Sequence, residues 1–410
     1  MSFFSAVFTR ALASRNYRLY FAGQLISLAG TWMQQIAMIW LAYRLSNSAA
    51  VLGMVGFASQ IPILLLGPFA GVLTDRFDRR RILLATQMLA MLQAVVLTVL
   101  TWQGRASTEW LIGLAFVLGI VNALDLPARQ AFSAQLVDKR EDLPNAIALN
   151  SLLMNSARFV GPALAGFAVA TIGEAWCFAI NAVSYFAVLV ALLAIDAKPH
   201  RADRTPAWRA FREGIGYVLG HREIRPRLLM VAAVSFLVTP YAVLMPLFAS
   251  EIFGGDARTY GLLIASAGAG ALLAGLYLAS RKGTERLPRR VADAVLLAGA
   301  ALSVFALNHW LALAFPIVMV LGFAVITTIA GSNTLIQMQV DDAYRGRVMA
   351  IFSMAFLGIA PLGSFTVGHL AHLVGVQPVL FACGIATFIV GLAVRRQLAS
   401  SRQTGEEGRT

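Results

Sequence analysis

The sequence predicts an all-α integral membrane protein with twelve transmembrane helices arranged as two pseudo-symmetric bundles of six. Three observations carry the prediction. First, the chain is 59% hydrophobic and 13% charged, with a mean hydropathy of +0.72, whereas soluble domains are about 45–50% apolar. Second, its apolar residues fall into runs of the length, about 20 residues, that crosses a hydrocarbon core as a helix. Third, a polar, basic stretch divides these runs into six and six.

The first six runs cover 19–43, 50–73, 82–101, 110–131, 145–172 and 176–195. The second six cover 228–250, 259–279, 291–307, 310–335, 348–373 and 379–394. They are numbered here as spans 1 to 12. The domain reading is a first half at 1–195, a linker at 196–227, a second half at 228–395 and a tail at 396–410. The leading segment, MSFFSAVFTRALASRNYRLY, has arginines at 10, 15 and 18, runs into a full-length span and lacks a small-residue cleavage pattern. Span 1 is therefore expected to stay in the mature protein. Within the linker, WRAFREGIGYVLG places Trp208, Phe211, Ile215 and Val218 at helical spacing with Arg209, Arg212 and Glu213 between them. That pattern suits an amphipathic helix on the membrane surface; a plain tether is the alternative.

Lysine and arginine orient the spans. One set of loops carries Arg10, Arg15 and Arg18, the Arg76–Arg81 cluster, Lys139 and Arg140, the linker, 281–290, Arg345 and Arg347, and the tail from Arg395. The opposite loops offer Arg44, Arg105 and Arg258. Both termini are expected to be cytoplasmic, in a multi-pass protein of a bacterial-type inner membrane. The net charge of +13 is split into short clusters between apolar runs, so no continuous basic face for nucleic acid is expected. Cys177 and Cys383 each sit inside an apolar run as small hydrophobes, and no disulfide framework is expected.

No HExxH, GxSxG or phosphate-loop pattern occurs. His369 and His372 read as interfacial residues near an outer helix end. The chain is thus not expected to be an enzyme or an ATP-driven pump, and no cofactor or metal is expected.

Two stretches invite a comparison between halves. LVDKREDLPNAIALNSLLMNSARFVGPALAG, entering span 5, has a counterpart in MQVDDAYRGRVMAIFSMAFLGIAPLGSFTVG, entering span 11. Each has an acidic loop, a helix start and a proline well inside the helix, and repeated halves point to a transporter. PFAGVLTDRFDRRR lies in the short loop between spans 2 and 3. It resembles the signature loop of the major facilitator superfamily in Gly71, Asp75, Arg76, Arg79 and Arg80; Asp78 stands where that superfamily commonly has a second glycine. RNYRLYFAGQLISLAGTWMQQIAMIWLAYRL, FREGIGYVLGHREIR and VDDAYRGRVMAIFSM narrow the resemblance to the transmembrane secretion-effector branch, which includes enterobactin-exporter-like proteins.

The resemblance implies the major facilitator fold and a latch between the two halves on the cytoplasmic side. In such a latch Asp75 caps the positive end of a helix of the other half, the arginines pair with acids or anionic lipid, and Asp125 on span 4 is the expected partner of Arg79. The alternative is that the arginines only set topology. It also implies that spans 1, 4, 7 and 10 line the central path.

Polar side chains at membrane depth are costly and face the bundle interior. Gln24, Ser27, Thr31 and Gln34 share one face of span 1 and are expected to line a cavity. Ser151, Asn155, Arg158 and Pro162 form a stripe on span 5. Arg158 either attracts an anionic group of the substrate or makes a structural pair with Asp125 or a knot with Asn122. GPALAG, Gly161 to Gly166, resembles part of the fifth-span motif associated with antiporters in the superfamily; ordinary packing is the alternative. Asp125 is the embedded carboxylate able to couple transport to protons.

These readings lead to a secondary active exporter, expected as a monomer, that moves an amphipathic siderophore- or drug-like small molecule by alternating access, with proton antiport implied by the resemblance. A lipid or lysophospholipid flippase is the alternative within transport, and a non-transporting receptor the alternative outside it.

Overall fold

The computed structural model describes residues 11–137, 140–195, 207–221, 223–281, 283, 285–342 and 344–407. Among the described residues there is no strand, and twelve helices are long and apolar enough to cross a membrane. Spans 1 to 6 are Arg15–Ser46, Ala49–Arg76, Arg79–Trp102, Thr108–Gln135, Leu143–Ile172 and Glu174–Ala194. Spans 7 to 12 are Ile224–Ile252, Ala257–Ala279, Leu287–Leu307, Leu311–Gln339, Arg345–Val374 and Val376–Glu407.

Short polar residues start these helices by accepting the free N–H groups of the first turn. Asp78 accepts from Arg81 N at 3.1 Å, Ser107 from Trp110 N at 3.4 Å, and Asp256 from Arg258 N at 2.9 Å and Thr259 N at 3.2 Å. Asp78 thus has a local purpose: it caps span 3 at the position where the related loop carries glycine. The free cysteines Cys177 and Cys383 are both buried.

The halves differ in continuity. Spans 1 and 5 run as unbroken α-helices, with Pro162 accommodated inside span 5. Their counterparts are interrupted. Span 7 stops at Leu237, resumes at Tyr241 and ends in a π-helical turn, Phe248–Ile252. Span 11 carries a π-helical turn at Met354–Gly358 just before Pro361. Pro240 and Pro361 lack the N–H that would continue the ladder, which accounts for breaks at these points.

Part of the linker forms the helix Ala207–Gly220. It docks on protein at the foot of the second half. Glu213 pairs with Arg347 at 2.9 Å, the Tyr217 ring stacks on Tyr344 at 4.4 Å, and the Tyr217 hydroxyl donates to Asp341 at 3.0 Å. Val218 is buried there. Of the apolar face read from the spacing, Val218 is thus covered by protein, while Ile215 is 38% and the adjoining Leu219 63% exposed. The side chains of Trp208, Arg209 and Phe211 and the segment 196–206 lie outside the described residues.

Candidate translocation path and gate

The two halves meet along two seams. At Gly53 of span 2 a Cβ would lie 2.5 Å from Ser364 O and 2.9 Å from Gly368 Cα of span 11. At Gly166 of span 5 it would lie 2.6 Å from Ala257 O and 2.8 Å from Gly261 Cα of span 8. Both distances are below those any side chain tolerates, so these helices approach backbone to backbone because the residues are glycines. Gly161 and Gly166 of the GPALAG stretch belong to such packing: Gly161 sits against the Trp32 ring of span 1. Aromatic contacts reinforce the closure, with Phe57 on Phe365 at 5.4 Å and Trp40 on Tyr260 at 6.2 Å.

Every one of these contacts lies in the middle of the spans or toward the face opposite the arginine-rich loops. Residues 36–39 and 41–43 of span 1 and 244–249 of span 7 are buried there. Toward the arginine-rich face several described positions make no close contact. A Cβ on Gly67 or Gly275 would meet nothing within 4 Å, and Phe69, Phe77, Ile147 and Leu152 are all more than half exposed. Among the described residues, the close contacts between the halves lie in the middle of the spans and toward the far face.

Inside the first half lies a polar network in two layers. Asp125, 1% exposed, accepts from Thr86 Oγ1 and Gln87 Nε2 of span 3, each at 2.8 Å, and pairs with Arg129 one turn further along span 4. Arg129 in turn donates to Gln24 Oε1 of span 1 at 3.1 Å. The second layer is a relay of amides. Asn181 Nδ2 of span 6 donates to Gln34 Oε1 at 2.7 Å, Gln34 Nε2 to Gln93 Oε1 of span 3 at 2.8 Å, and Gln93 Nε2 to Leu114 O of span 4 at 3.2 Å.

This geometry corrects three expectations. The carboxylate of Asp125 takes Arg129 as its ion-pair partner rather than Arg79, because the i,i+4 spacing puts both on one face of span 4. Gln24 and Gln34 point into the seams between span 1 and spans 3, 4 and 6 of their own half; their amides are consumed there instead of lining an open path. Ser27 is buried on the same face, while Thr31 is exposed and donates to Ser27 O at 2.8 Å. Arg158 makes neither the pair with Asp125 nor the knot with Asn122. Asn122 is half-buried on span 4 and has no hydrogen bond among the described residues.

The basic loop serves its own half. Arg80 donates to Leu192 O at 2.7 Å and Leu193 O at 2.9 Å, at the end of span 6. Arg79 donates to Ala131 O near the end of span 4 at 3.5 Å. Free carbonyls at helix ends carry partial negative charge, so a guanidinium both satisfies and neutralises them. Arg76 is exposed. The surroundings of Gly71 and the side chains of Asp75, Ser151 and Asn155 lie outside the described residues.

Arg158 occupies the centre of span 5, about 21 to 23 Å from either end at 1.5 Å per residue. It is exposed and has no hydrogen bond or ion pair among the described residues, although protein crowds it on most sides. Its electrostatic neighbour is the phenol of Tyr241 on span 7, and its backbone lies against Gly268 of span 8. Its backbone thus stands at the contact between a span of each half.

Two six-helix halves apposed through glycine seams are the architecture of a membrane transporter. The solved structures agree on the fold. The nucleoside transporter NupG superposes with a TM-score of 0.69 at 13% identity over 92% of this chain and 98% of its own, and a peptide transporter POT with 0.73 at 14% identity over 94% and 95%. The family model described as transmembrane secretion effector matches residues 8–406, and the chain belongs to that family of the major facilitator superfamily. Among its relatives, the staphyloferrin A transporter of Staphylococcus aureus is 26% identical, covering 95% of this chain and 99% of its own. Macrolide efflux protein A of Streptococcus pyogenes is 24% identical, covering 92% and 95%. The multidrug efflux pump Tap of Mycobacterium tuberculosis is 26% identical, covering 91% of both.

Proposed function

We propose that this protein is a secondary active exporter that moves an amphipathic small molecule, siderophore- or drug-like, out of the cytoplasm by alternating access. The observation that carries the proposal is the asymmetry of the contacts between the halves: among the described residues glycine seams join them in the middle and toward the far face, which we read as a state open at the arginine-rich face. If the arginine-rich loops are cytoplasmic, as charge asymmetry in membrane loops favours, this is the state that loads substrate from inside the cell. Relatives named for siderophore transport, macrolide efflux and multidrug efflux support export. The placement is a bacterial inner membrane with both termini inside, and the working unit is a monomer.

In this reading the loop bearing Gly71, Asp75, Arg76, Arg79 and Arg80 rejoins the second half when the basic face closes. The interrupted spans 7 and 11 supply the bending, because helices broken at proline and π-turns change shape more readily than unbroken ones. Coupling by proton antiport is the further part of the proposal. Two carboxylates of the described spans are buried, Asp125 and Glu174. Glu174 pairs with Arg44 at 3.2 Å at the far face. Asp125 therefore is the group to exchange a proton, by leaving Arg129 in another state of the cycle.

Profiling small molecules in cells and medium with and without the gene, under iron-replete and iron-starved growth, tests the export reading. A metabolite retained inside the cells that lack the gene is expected; no difference in either condition contradicts it. Transport into inverted vesicles that continues unchanged after collapse of the pH gradient would remove the antiport.

A further inference from the structure

We infer that Arg158 is the anion-recognition residue of the central cavity, so that the transported molecule carries an anionic oxygen group, a carboxylate or a phosphate, on an otherwise apolar body. The inference rests on the export reading above and specifies its substrate class. A cation at the centre of a transmembrane helix is costly unless it is paired or reaches water. Elsewhere in this half that cost is met within the protein: Arg129 has Asp125 and Gln24. Arg158 has no carboxylate, amide or carbonyl among the described residues, and Tyr241 is the titratable group that faces it.

The position of Arg158 matches such a role. It lies on span 5 where that helix crosses span 8, with Gly268 against its carbonyl, one turn before the contact of Gly161 with Trp32. A planar guanidinium with parallel N–H donors fits carboxylate and phosphate oxygens in a fork geometry that an ammonium does not reproduce. The neighbouring Tyr241 ring suits an apolar body. Because spans 5 and 8 come from different halves, an anion held there sits at the joint that moves in alternating access.

The test uses the full chain in inverted vesicles given the water-soluble small-molecule extract of the producing cells, with accumulated compounds read by mass spectrometry for wild type, Arg158→Gln and Arg158→Lys. Compounds taken up by the wild type are expected to carry an acidic group. Their accumulation should fall about tenfold or more in Arg158→Gln and no more than about threefold in Arg158→Lys. Neutral or cationic compounds, or equal uptake by Arg158→Gln, overturn the inference. A parallel arm follows flipping of fluorescent phosphatidylglycerol in proteoliposomes. Movement lost in Arg158→Gln assigns the anion to a lipid headgroup, and movement absent in all variants assigns it to a soluble molecule.

A labelling arm needs no substrate. Met154, half-buried and four residues before Arg158 on the same face, is replaced by cysteine after Cys177 and Cys383 are changed to alanine. An anionic methanethiosulfonate reagent should react faster there than its cationic analogue, and Arg158→Gln should abolish the preference. An unchanged preference contradicts the anion site. Should the wild type accumulate nothing from the extract, the export reading fails, and this labelling result alone decides whether the cavity selects anions.

Discussion

Arg129, about 9 Å from the arginine-rich end of span 4, and Arg158, at the centre of span 5, are the same side chain in the same half, yet they sit in opposite circumstances. Arg129 is enclosed, ion-paired with Asp125 and hydrogen-bonded to Gln24. Arg158 is exposed and has no such partner among the described residues. The contrast separates two uses of charge in an apolar bundle. A pair that closes on itself ties three helices into a rigid unit; a cation left open is available to something that arrives from outside.

The largest expected effect comes from breaking the closed pair. Asp125→Ala strands a buried cation, which costs about 3–5 kcal/mol when a partner is removed. It should cut folded yield and melting temperature sharply, whereas Asp125→Leu combined with Arg129→Leu should recover most of that loss. If the single and double variants melt alike, the pair does not hold the half together.

Next comes the seam. Gly166→Leu or Gly53→Val places side-chain atoms where the neighbouring backbone lies. Overpacking costs about 1–3 kcal/mol, and the far face should be held open, so that thiol reagents added from that side reach cysteines placed at 40 or 243. Protection equal to wild type would mean that the seam does not close the path.

A smaller effect is expected within the amide relay. Gln34→Leu leaves Gln93 and Asn181 each short of a buried partner, with a loss of about 1–3 kcal/mol readable as a lower melting temperature with orientation in the membrane unchanged. The smallest is Arg80→Gln, which removes two bonds to the end of span 6. About 1 kcal/mol is expected, less at high salt because the contact is partly exposed.

Much of the architecture was legible in the chain. Long apolar runs, the basic break after span 6 and the paired blocks at spans 5 and 11 all express the demand that a backbone in lipid satisfy its own hydrogen bonds. The interruptions of span 7 were not. Hydropathy averages over Pro240, and a π-turn has no compositional mark. At the site, Gln24 and Gln34 showed a polar face but not which way it turned. A face directed at neighbouring helices and one directed at a cavity have the same period, and the amides of Gln93 and Asn181, on other spans, decide between them. Arg129 was missed because an arginine near the arginine-rich end of a span reads as a topology signal. The available clue was its spacing of four from Asp125. The partner first assigned to Asp125, Arg79, instead reaches the carbonyl at the end of the neighbouring helix.

The most direct measurement compares Arg129→Gln with Arg158→Gln in the same vesicles, reading melting temperature and transport of the cell's own extract side by side. Arg129→Gln should lose stability, and transport with it, since it strands the buried Asp125. Arg158→Gln should melt at or above the wild-type temperature and lose transport alone. A fall in melting temperature for Arg158→Gln as large as that for Arg129→Gln would contradict the account, because it would make both arginines structural.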